Sequence, residues 1–156
     1  MDYRIIYVGA QTIFGILFLV LLALRHSTLK GQQANKLDAV YCLFLVTVVL
    51  DSIWILIDGQ PELRTWHVLL QVVYLTAMAF TGYLWFLYTL DQFPAKSMKL
   101  RKYRFVLVIP VLIIVVLVFC SIKTSWMFVV DENGTYSRGD LHIFLIAMNY
   151  IYIPKG

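Results

Sequence analysis

Two aspartates, Asp51 and Asp58, interrupt an apolar stretch that reads LDSIWILIDG over residues 50–59. In a helix they lie about two turns apart on one face, with Trp54 between them. An Asp at the centre of a membrane-spanning helix costs about 2.5–3.5 kcal/mol, so such an acid faces other helices or a wet cavity and marks a candidate ligand, ion or proton site. A structural hydrogen-bonding role that fixes helix packing, or a protonated carboxyl group, is the competing interpretation of Asp51. Asp58, followed by Gly59, has the form of an ordinary helix end.

Polar and aromatic residues recur after these aspartates with alternating spacings of four and three. They are His67, Gln71, Tyr74, Met78, Thr81, Trp85 and Tyr88. This spacing is that of the heptad seam in a left-handed helix pair, and most of the other positions are Val, Leu, Ala or Phe, which suit lipid. We expect His67 and Gln71 to lie at the depth between the two aspartates, so these four residues could form one pocket together with Trp54. Hydrogen bonding between packed helices is the competing interpretation, and the sequence leaves both open.

A polar segment, KTSWMFVVDENGTYSRGD, follows at residues 123–140. The Asn-Gly pair within it favours a type I′ turn, so we expect a short hairpin that forms a lid over the outer mouth of the pocket. The lid comprises Trp126, Asp131, Asn133, Gly134 and Tyr136, with the tryptophan at the membrane interface. Arg138 would lie beside the pocket, where it pairs with an acid or clamps an anionic ligand. A surface arginine with no fixed partner fits the pattern equally well.

The composition is that of a membrane protein, because 61% of the residues are hydrophobic and only 14% are charged, against about 45–50% and about 25% in soluble domains. Helices are predicted at about 5–24, 38–57, 66–90, 105–122 and 141–153. The first four are long enough to span a bilayer, whereas the fifth is too short. We therefore predict an all-α integral membrane protein with four complete transmembrane helices, a truncated fifth and a short extracytoplasmic hairpin-like loop. We expect residues 1–156 to form a single, incomplete membrane domain, either a truncated or frameshifted gene product or a fragment.

Basic residues indicate the orientation. Eight lie after the first and third helices and four on the other side, which by the positive-inside rule places the first set in the cytoplasm. The first set is Arg25, Lys30, Lys36, Lys96, Lys99, Arg101, Lys102 and Arg104, and the second is Arg4, Arg64, Lys123 and Arg138. We expect a multi-pass protein of the inner, or cytoplasmic, membrane with its N-terminus outside and its C-terminus in the cytoplasm.

Signatures of enzymatic or metal chemistry are missing from the sequence. It contains no GxxxxGK[ST], HExxH, GxSxG or paired-cysteine motif, and its three histidines are scattered. We therefore expect no catalytic residue, no metal and no cofactor. The net charge of +4 is explained by the basic loops and calls for no nucleic-acid partner. Cys42 and Cys120 are predicted to lie near opposite membrane faces as small buried residues, too far apart for a disulfide.

Three segments resemble a known family. DSIWILIDG at 51–59, GYLWFLYTL at 82–90 and WMFVVDENGTYSRGDLH at 126–142 are similar to the N-terminal multi-pass sensor region of membrane diguanylate cyclases, the GGDEF-domain proteins of clostridia-like bacteria. The resemblance implies a bacterial sensor whose last helix leads into a cytoplasmic domain that makes cyclic di-GMP from GTP. The chain contains no GGDEF-like motif, so it is not expected to be an enzyme itself.

The expected function is therefore signal transduction by a membrane-embedded sensor that regulates a diguanylate cyclase output carried elsewhere. The lipid bilayer, a small extracytoplasmic ligand, and a second copy or a partner membrane protein are the expected partners. A small transporter-like protein, which would use Asp51 to relay protons or bind a cation, is one alternative. An accessory protein that modulates a larger partner is another.

Overall fold

The computed structural model describes residues 3–26, 32–92 and 105–151, and most of them are helical. The α-helices within these ranges are α1 (Tyr3–His26), α2 (Gln32–Ile57), α3 (Arg64–Gln92), α4 (Ile109–Thr124) and α5 (His142–Ile151). Single turns of 3-10 helix at Pro61–Leu63 and Val106–Val108 precede α3 and α4, and the short strands β1 (Phe128–Val130) and β2 (Tyr136–Arg138) lie between α4 and α5. The predicted helical fold with a small hairpin is confirmed.

Four of these helices are long and apolar enough to cross a membrane, over residues 4–24, 35–57, 61–92 and 106–124. They are the four that the sequence predicts. α2 begins earlier than expected, at Gln32, because the polar turn before its apolar stretch is rich in good helix formers. The basic loop residues at 27–31 and 93–104, and the predicted end of the fifth helix beyond Ile151, lie outside the described residues.

The largest core lies between α3, α4, α5 and β1. Its members from α3 and α4 are Val72, Leu75, Ala79, Val111, Ile114 and Val118, and those from β1, its flank and α5 are Met127, Phe128, Val130, Leu145 and Met148. The sequence pattern assigned the positions between the polar residues of α3 to lipid. Four of these positions, at 72, 75, 77 and 79, are instead buried, because α3 packs against α2 on one side and α4 on the other.

By contrast, α1 lies at the edge of the bundle. None of the residues in its apolar span is buried, and it packs chiefly against α2. Phe18 provides the aromatic part of this contact, with ring centroids 5.7 Å from Tyr41 and 4.2 Å from Phe44. The remaining apolar side chains of α1 face away from the protein, as expected for a helix that contacts lipid.

Cys42 and Cys120 are both free, in line with the prediction that they form no disulfide. Their predicted burial is wrong, because both are exposed. They lie on outward surfaces of α2 and α4, where an apolar side chain would contact lipid instead of another helix. The residue type of a small apolar side chain in a membrane-length helix therefore does not show whether it faces lipid or another helix.

Ser121 and Ser125 direct the chain from α4 into the hairpin. α4 ends at Thr124, and Ser125 adopts a left-handed conformation with φ of 60°. The buried Ser121 hydroxyl accepts the backbone N–H of Met127 at 2.8 Å. The chain therefore turns back over the bundle end with its backbone polar groups satisfied.

The hairpin pairs Phe128 with Arg138 and Val130 with Tyr136, which leaves residues 131–135 as the connecting loop. The predicted type I′ turn is wrong. It requires positive φ at both central residues, and of the Asn-Gly pair only Gly134 has one, at 77°. Asp131 determines the turn instead, because its carbonyl accepts the N–H of Gly134 at 3.1 Å and its carboxylate accepts the N–H of Thr135 at 2.8 Å. Such side-chain acceptance is the reason that Asp favours turns.

Phe128 tests this core. It is 2% exposed, whereas Phe119 on the outer surface of α4 is 56% exposed. We predict that Phe128→Ala lowers the free energy of unfolding by about 3–5 kcal/mol, because it leaves a cavity between α3, α4 and α5. The matched variant Phe119→Ala should change it by no more than about 0.5 kcal/mol. Reversible unfolding in mixed detergent micelles measures both, and equal losses would contradict the assigned core.

Candidate functional site

The polar residues of the bundle form two neighbouring groups. The first, called here the hairpin cluster, lies where the hairpin meets the ends of α2 and α3. It consists of Trp54, Asp58, His67, Gln71, Gly134 and Tyr136. The second, called the Asp51 cluster, lies further along the helices and consists of Tyr7, Gln11, Asp51 and Tyr74.

The Gly134 carbonyl is the centre of the hairpin cluster, because it accepts hydrogen bonds from two helix ends. The backbone N–H of Gly59, just after α2, donates to it at 3.1 Å, and Nδ1 of His67 on α3 lies 2.9 Å from it. A carbonyl only accepts, so Nδ1 carries the proton and Nε2 is left as an acceptor. The amide nitrogen of Gln71 lies 3.5 Å from Nε2, in a position to donate to it. His67 and Gln71 are 0% and 2% exposed, so this chain of contacts is shielded from solvent.

Asp58 fixes the second strand of the hairpin. Its carboxyl oxygen Oδ1 accepts the backbone N–H of Tyr136 at 2.9 Å. The Tyr136 ring in turn meets Trp54 edge-on, with centroids 5.4 Å apart, and both rings lie 6.4 Å from the imidazole of His67. Asp58 therefore does more than end a helix, because it attaches α2 to β2.

The indole N–H of Trp54 is the unsatisfied group of this cluster. It is buried and has no hydrogen-bond partner within the described part of the chain. A buried donor without a partner costs about 1–3 kcal/mol. A ligand that supplied an acceptor here would recover that energy.

Gly134 approaches the α2–α3 connection so closely that no side chain fits. A Cβ at this position would lie 2.5 Å from the backbone oxygen of Gln60, in addition to the strain that a positive φ imposes on other residues. The hairpin loop is further attached through Arg64, whose Nε donates to the carbonyl of Val130 at 3.4 Å.

In the Asp51 cluster, α1 supplies most of the hydrogen bonds. The Tyr7 hydroxyl donates to Oδ2 of Asp51, and the Gln11 amide donates to the same oxygen at 2.8 Å. The two donors also contact each other, because the Gln11 amide lies 3.1 Å from the Tyr7 hydroxyl. Tyr74 of α3 is a further hydrogen-bond partner of the carboxyl group. One side chain of α2 thus joins three helices.

Tyr74 hydrogen-bonds to Asp51 and packs against the same hydrophobic core as Tyr136 of the hairpin cluster, so the two clusters border one core. The four predicted pocket residues are divided between the two clusters. The structure brings Asp58, His67 and Gln71 together under the hairpin and places Asp51 against α1.

Arg138 lies at the end of β2 beside Tyr136 and His142, to which it is electrostatically coupled. Burial raises the pKa of Tyr136, and hydrogen bonding to Arg138 partly offsets this. His142 lies at the start of α5 next to the backbone of Met127, beyond the apolar span of α4. Burial and the arginine charge lower its pKa from the ordinary value. Both groups are therefore neutral at neutral pH, and the arginine provides positive charge at this edge of the hairpin.

The remaining lid residues have different roles. Trp126 is 47% exposed at the exit from α4, Asp131 forms the turn, and Asn133 is exposed at its tip. Among the described residues, Arg138 makes no ion pair with Asp51 or Asp58.

Tyr7 and Gln11 are the site residues that the sequence interpretation missed. They are polar and four positions apart within the otherwise apolar α1, a spacing that puts both on one helical face. This spacing of two polar residues in an apolar helix could have identified them from the sequence. No group of three or more metal-binding side chains occurs in the ranges that the structure describes.

No family model, curated protein or solved structure matches the chain.

A single glycine tests the hairpin contact. We predict that Gly134→Ala lowers the free energy of unfolding by more than about 2 kcal/mol, because it adds left-handed strain and a backbone clash at Gln60. The control is Gly9→Ala in α1, where an added Cβ meets nothing within 4 Å and a glycine-to-alanine change in a helix stabilises by about 0.5–1 kcal/mol. Thermal unfolding of the two variants in the same detergent compares them. Shifts of the same sign would refute the assigned contact.

Proposed function

We propose that this chain is the membrane-embedded sensory part of a signal-transduction protein, with the hairpin outside the cell and the signal delivered in the cytoplasm. The observation that carries the proposal is the double acceptance at the Gly134 carbonyl. The hydrogen bonds from Gly59 and His67 tie the position of one short loop to the ends of two helices. A change at the loop therefore acts on α2 and α3 together.

In the proposed mechanism, a small extracytoplasmic molecule binds at the hairpin cluster. It gains a hydrogen bond from the free indole N–H of Trp54 and competes for the contacts of His67 and Asp58. Ligand binding shifts the helix arrangement only to the extent that it is tighter in one arrangement than in the other. Arg138, exposed at the edge of the cluster, favours a ligand with an anionic group.

The Asp51 cluster carries the change further. Tyr74 packs against the same hydrophobic core as Tyr136 of the hairpin cluster and hydrogen-bonds to Asp51, and Asp51 accepts hydrogen bonds from Tyr7 and Gln11. Because α1 has little other burial, a loss of these bonds would change its position relative to α2. We propose movement of α1 against α2 as the transmitted signal.

The resemblance of residues 51–59, 82–90 and 126–142 to the sensor regions of diguanylate cyclases supports a particular output. It favours a protein of a bacterial inner membrane whose signal reaches a cytoplasmic GGDEF domain that makes cyclic di-GMP. The chain itself is proposed to be non-enzymatic and to act through a second copy or a partner membrane protein.

Two substitutions on one hydrogen bond test the signalling role. In the full chain fused to a diguanylate cyclase domain, we predict that Tyr7→Phe and Asp51→Asn shift cyclic di-GMP output in the same direction. Hydrogen bonds between membrane helices average about 0.6 kcal/mol, which is about threefold in an equilibrium. Glu62→Gln, an exposed acid before α3, is the control and should leave output unchanged.

Cellular cyclic di-GMP, normalised to the amount of fusion protein in the membrane, is the readout. Unchanged output for both variants at unchanged expression would exclude the Asp51 cluster from signalling.

Transport is a second candidate function, favoured by the position of Asp51 inside a span of membrane length among polar partners from two other helices. Such an acid can relay protons or bind a cation. Proteoliposomes that hold a pH-sensitive dye distinguish the two. Flux that is lost in Asp51→Asn would favour transport, whereas wild-type protein without flux, together with altered output in the fusion assay, would favour sensing.

A further inference from the structure

An apolar cavity lies at the end of the bundle away from the hairpin. Its volume is about 440 Å³, within the range of about 300–1,000 Å³ typical of small-molecule sites. It is bounded by α1, α2, α3 and α5, through residues that include Phe18, Val40, Phe44, Met78, Trp85 and Asn149. None of these belongs to the hairpin or Asp51 clusters, so the cavity is a separate candidate site.

Two hydroxyl groups in the cavity wall are already satisfied. Thr47 donates to the carbonyl of Phe44 at 2.7 Å, and Thr81 donates to the carbonyl of Ala77 at 2.8 Å. Neither hydroxyl hydrogen is therefore available to an occupant of the cavity, and each threonine can contribute its methyl group to the lining. Tyr41 and Asn149 contribute the few remaining polar groups of the lining, so a polar molecule would replace only a small part of the hydrogen bonds that it loses on leaving water. The lining thus favours an apolar occupant.

One end of the cavity leads to charged and aromatic residues. Lys36 lies one turn before Val40 on the same face of α2, and its ammonium group pairs with Asp91 at the end of α3. Trp85 and Tyr88 stack nearby on α3, with ring centroids 5.8 Å apart. Tryptophan and tyrosine prefer the level of lipid headgroups, so this end of the cavity coincides with a membrane–water interface.

The sequence is rich in basic residues directly after the two helices, α1 and α3, that end on this side. The segment after α1 carries Lys30, and the segment after α3 carries Lys96, Lys99 and Arg101. Basic residues beside a bilayer attract anionic lipid headgroups. From the bundle interior to this end, the described residues therefore run from an apolar cavity through aromatic rings to the Lys36–Asp91 ion pair. A phospholipid has the same order from acyl chain to headgroup.

We infer that the cavity holds one acyl chain of an anionic phospholipid, with the headgroup beside Lys36. The chain fills the space between Phe18 of α1 and Met78 of α3, and it thereby supports α1 at the end of the helix that the Asp51 cluster does not reach. This inference is independent of the proposed sensing function, because it uses none of the same residues.

Photolabelling in nanodiscs tests the site. The probe is phosphatidylglycerol with a diazirine on one acyl chain, diluted in unlabelled phosphatidylcholine, and peptides are mapped by mass spectrometry. Wild-type protein should be labelled at residues 40–47 and 78–85. Val40→Trp fills the cavity and should lose most of this label. The control Val116→Trp makes the same replacement at a position that is 59% exposed on α4 and should keep it.

Met78→Trp fills the same cavity from α3. It keeps the test valid if Val40→Trp fails to fold. Helix content and gel-filtration profile are compared for all variants. Equal labelling of wild-type and both cavity-filling variants, with folding intact, would overturn the inference. So would recovery of a non-lipid apolar compound from the purified protein that blocks labelling, or crosslinks at residues 40–47 to a second copy of the chain in place of the probe.

The headgroup is tested separately with Lys36→Gln. Native mass spectrometry of protein exchanged into equal amounts of phosphatidylglycerol and phosphatidylethanolamine measures which lipid remains bound. Wild-type protein should retain the anionic lipid preferentially, and Lys36→Gln should lose part of this preference. Equal retention of both lipids by the wild-type protein would refute an anionic occupant.

Discussion

The carboxyl group of Asp51 lies within a span of membrane length and must find its hydrogen-bond donors inside the protein. Leaving a polar group unsatisfied in apolar surroundings costs several kcal/mol. Tyr7 and Gln11 of α1 and Tyr74 of α3 are the donors that it finds. Together with the packing of Phe18 against Tyr41 and Phe44 of α2, these hydrogen bonds fix the rotation of α1 about its own axis. The position of α1 in the bundle therefore depends on Asp51 as well as on aromatic packing.

At the hairpin end, the same requirement applies to backbone groups. The loop between α2 and α3 exposes N–H groups that need acceptors, and the carbonyl of Gly134 accepts one of them together with the His67 ring. The hairpin needs a donor and an acceptor in return, which Arg64 and Asp58 supply. Loop and helix ends satisfy each other, so neither can move without breaking hydrogen bonds of the other.

Much of this architecture could be predicted from the sequence, because apolar runs of membrane length allow few structures other than helices. The Asn-Gly pair and its flanking strands indicated the hairpin, and the residue types of Asp51 and His67 in apolar surroundings marked the site. Which surfaces meet could not be predicted. A Leu or Cys looks the same in sequence whether it faces lipid or another helix, so Leu75 and Cys42 were assigned to the wrong surroundings. The turn type was missed because it depends on a side-chain contact of Asp131.

A double-mutant cycle on Tyr7 and Asp51 tests the central interaction most directly. The free energies of unfolding are measured in lipid bicelles for Tyr7→Phe, Asp51→Leu and the combined variant. If the hydroxyl donates to the carboxyl group, the two changes are coupled, by about 0.6 kcal/mol or more as between other membrane helices. Tyr88→Phe with Asp51→Leu, at opposite ends of the bundle, should be additive. Additive effects for Tyr7 and Asp51 would contradict the attachment of α1 described here.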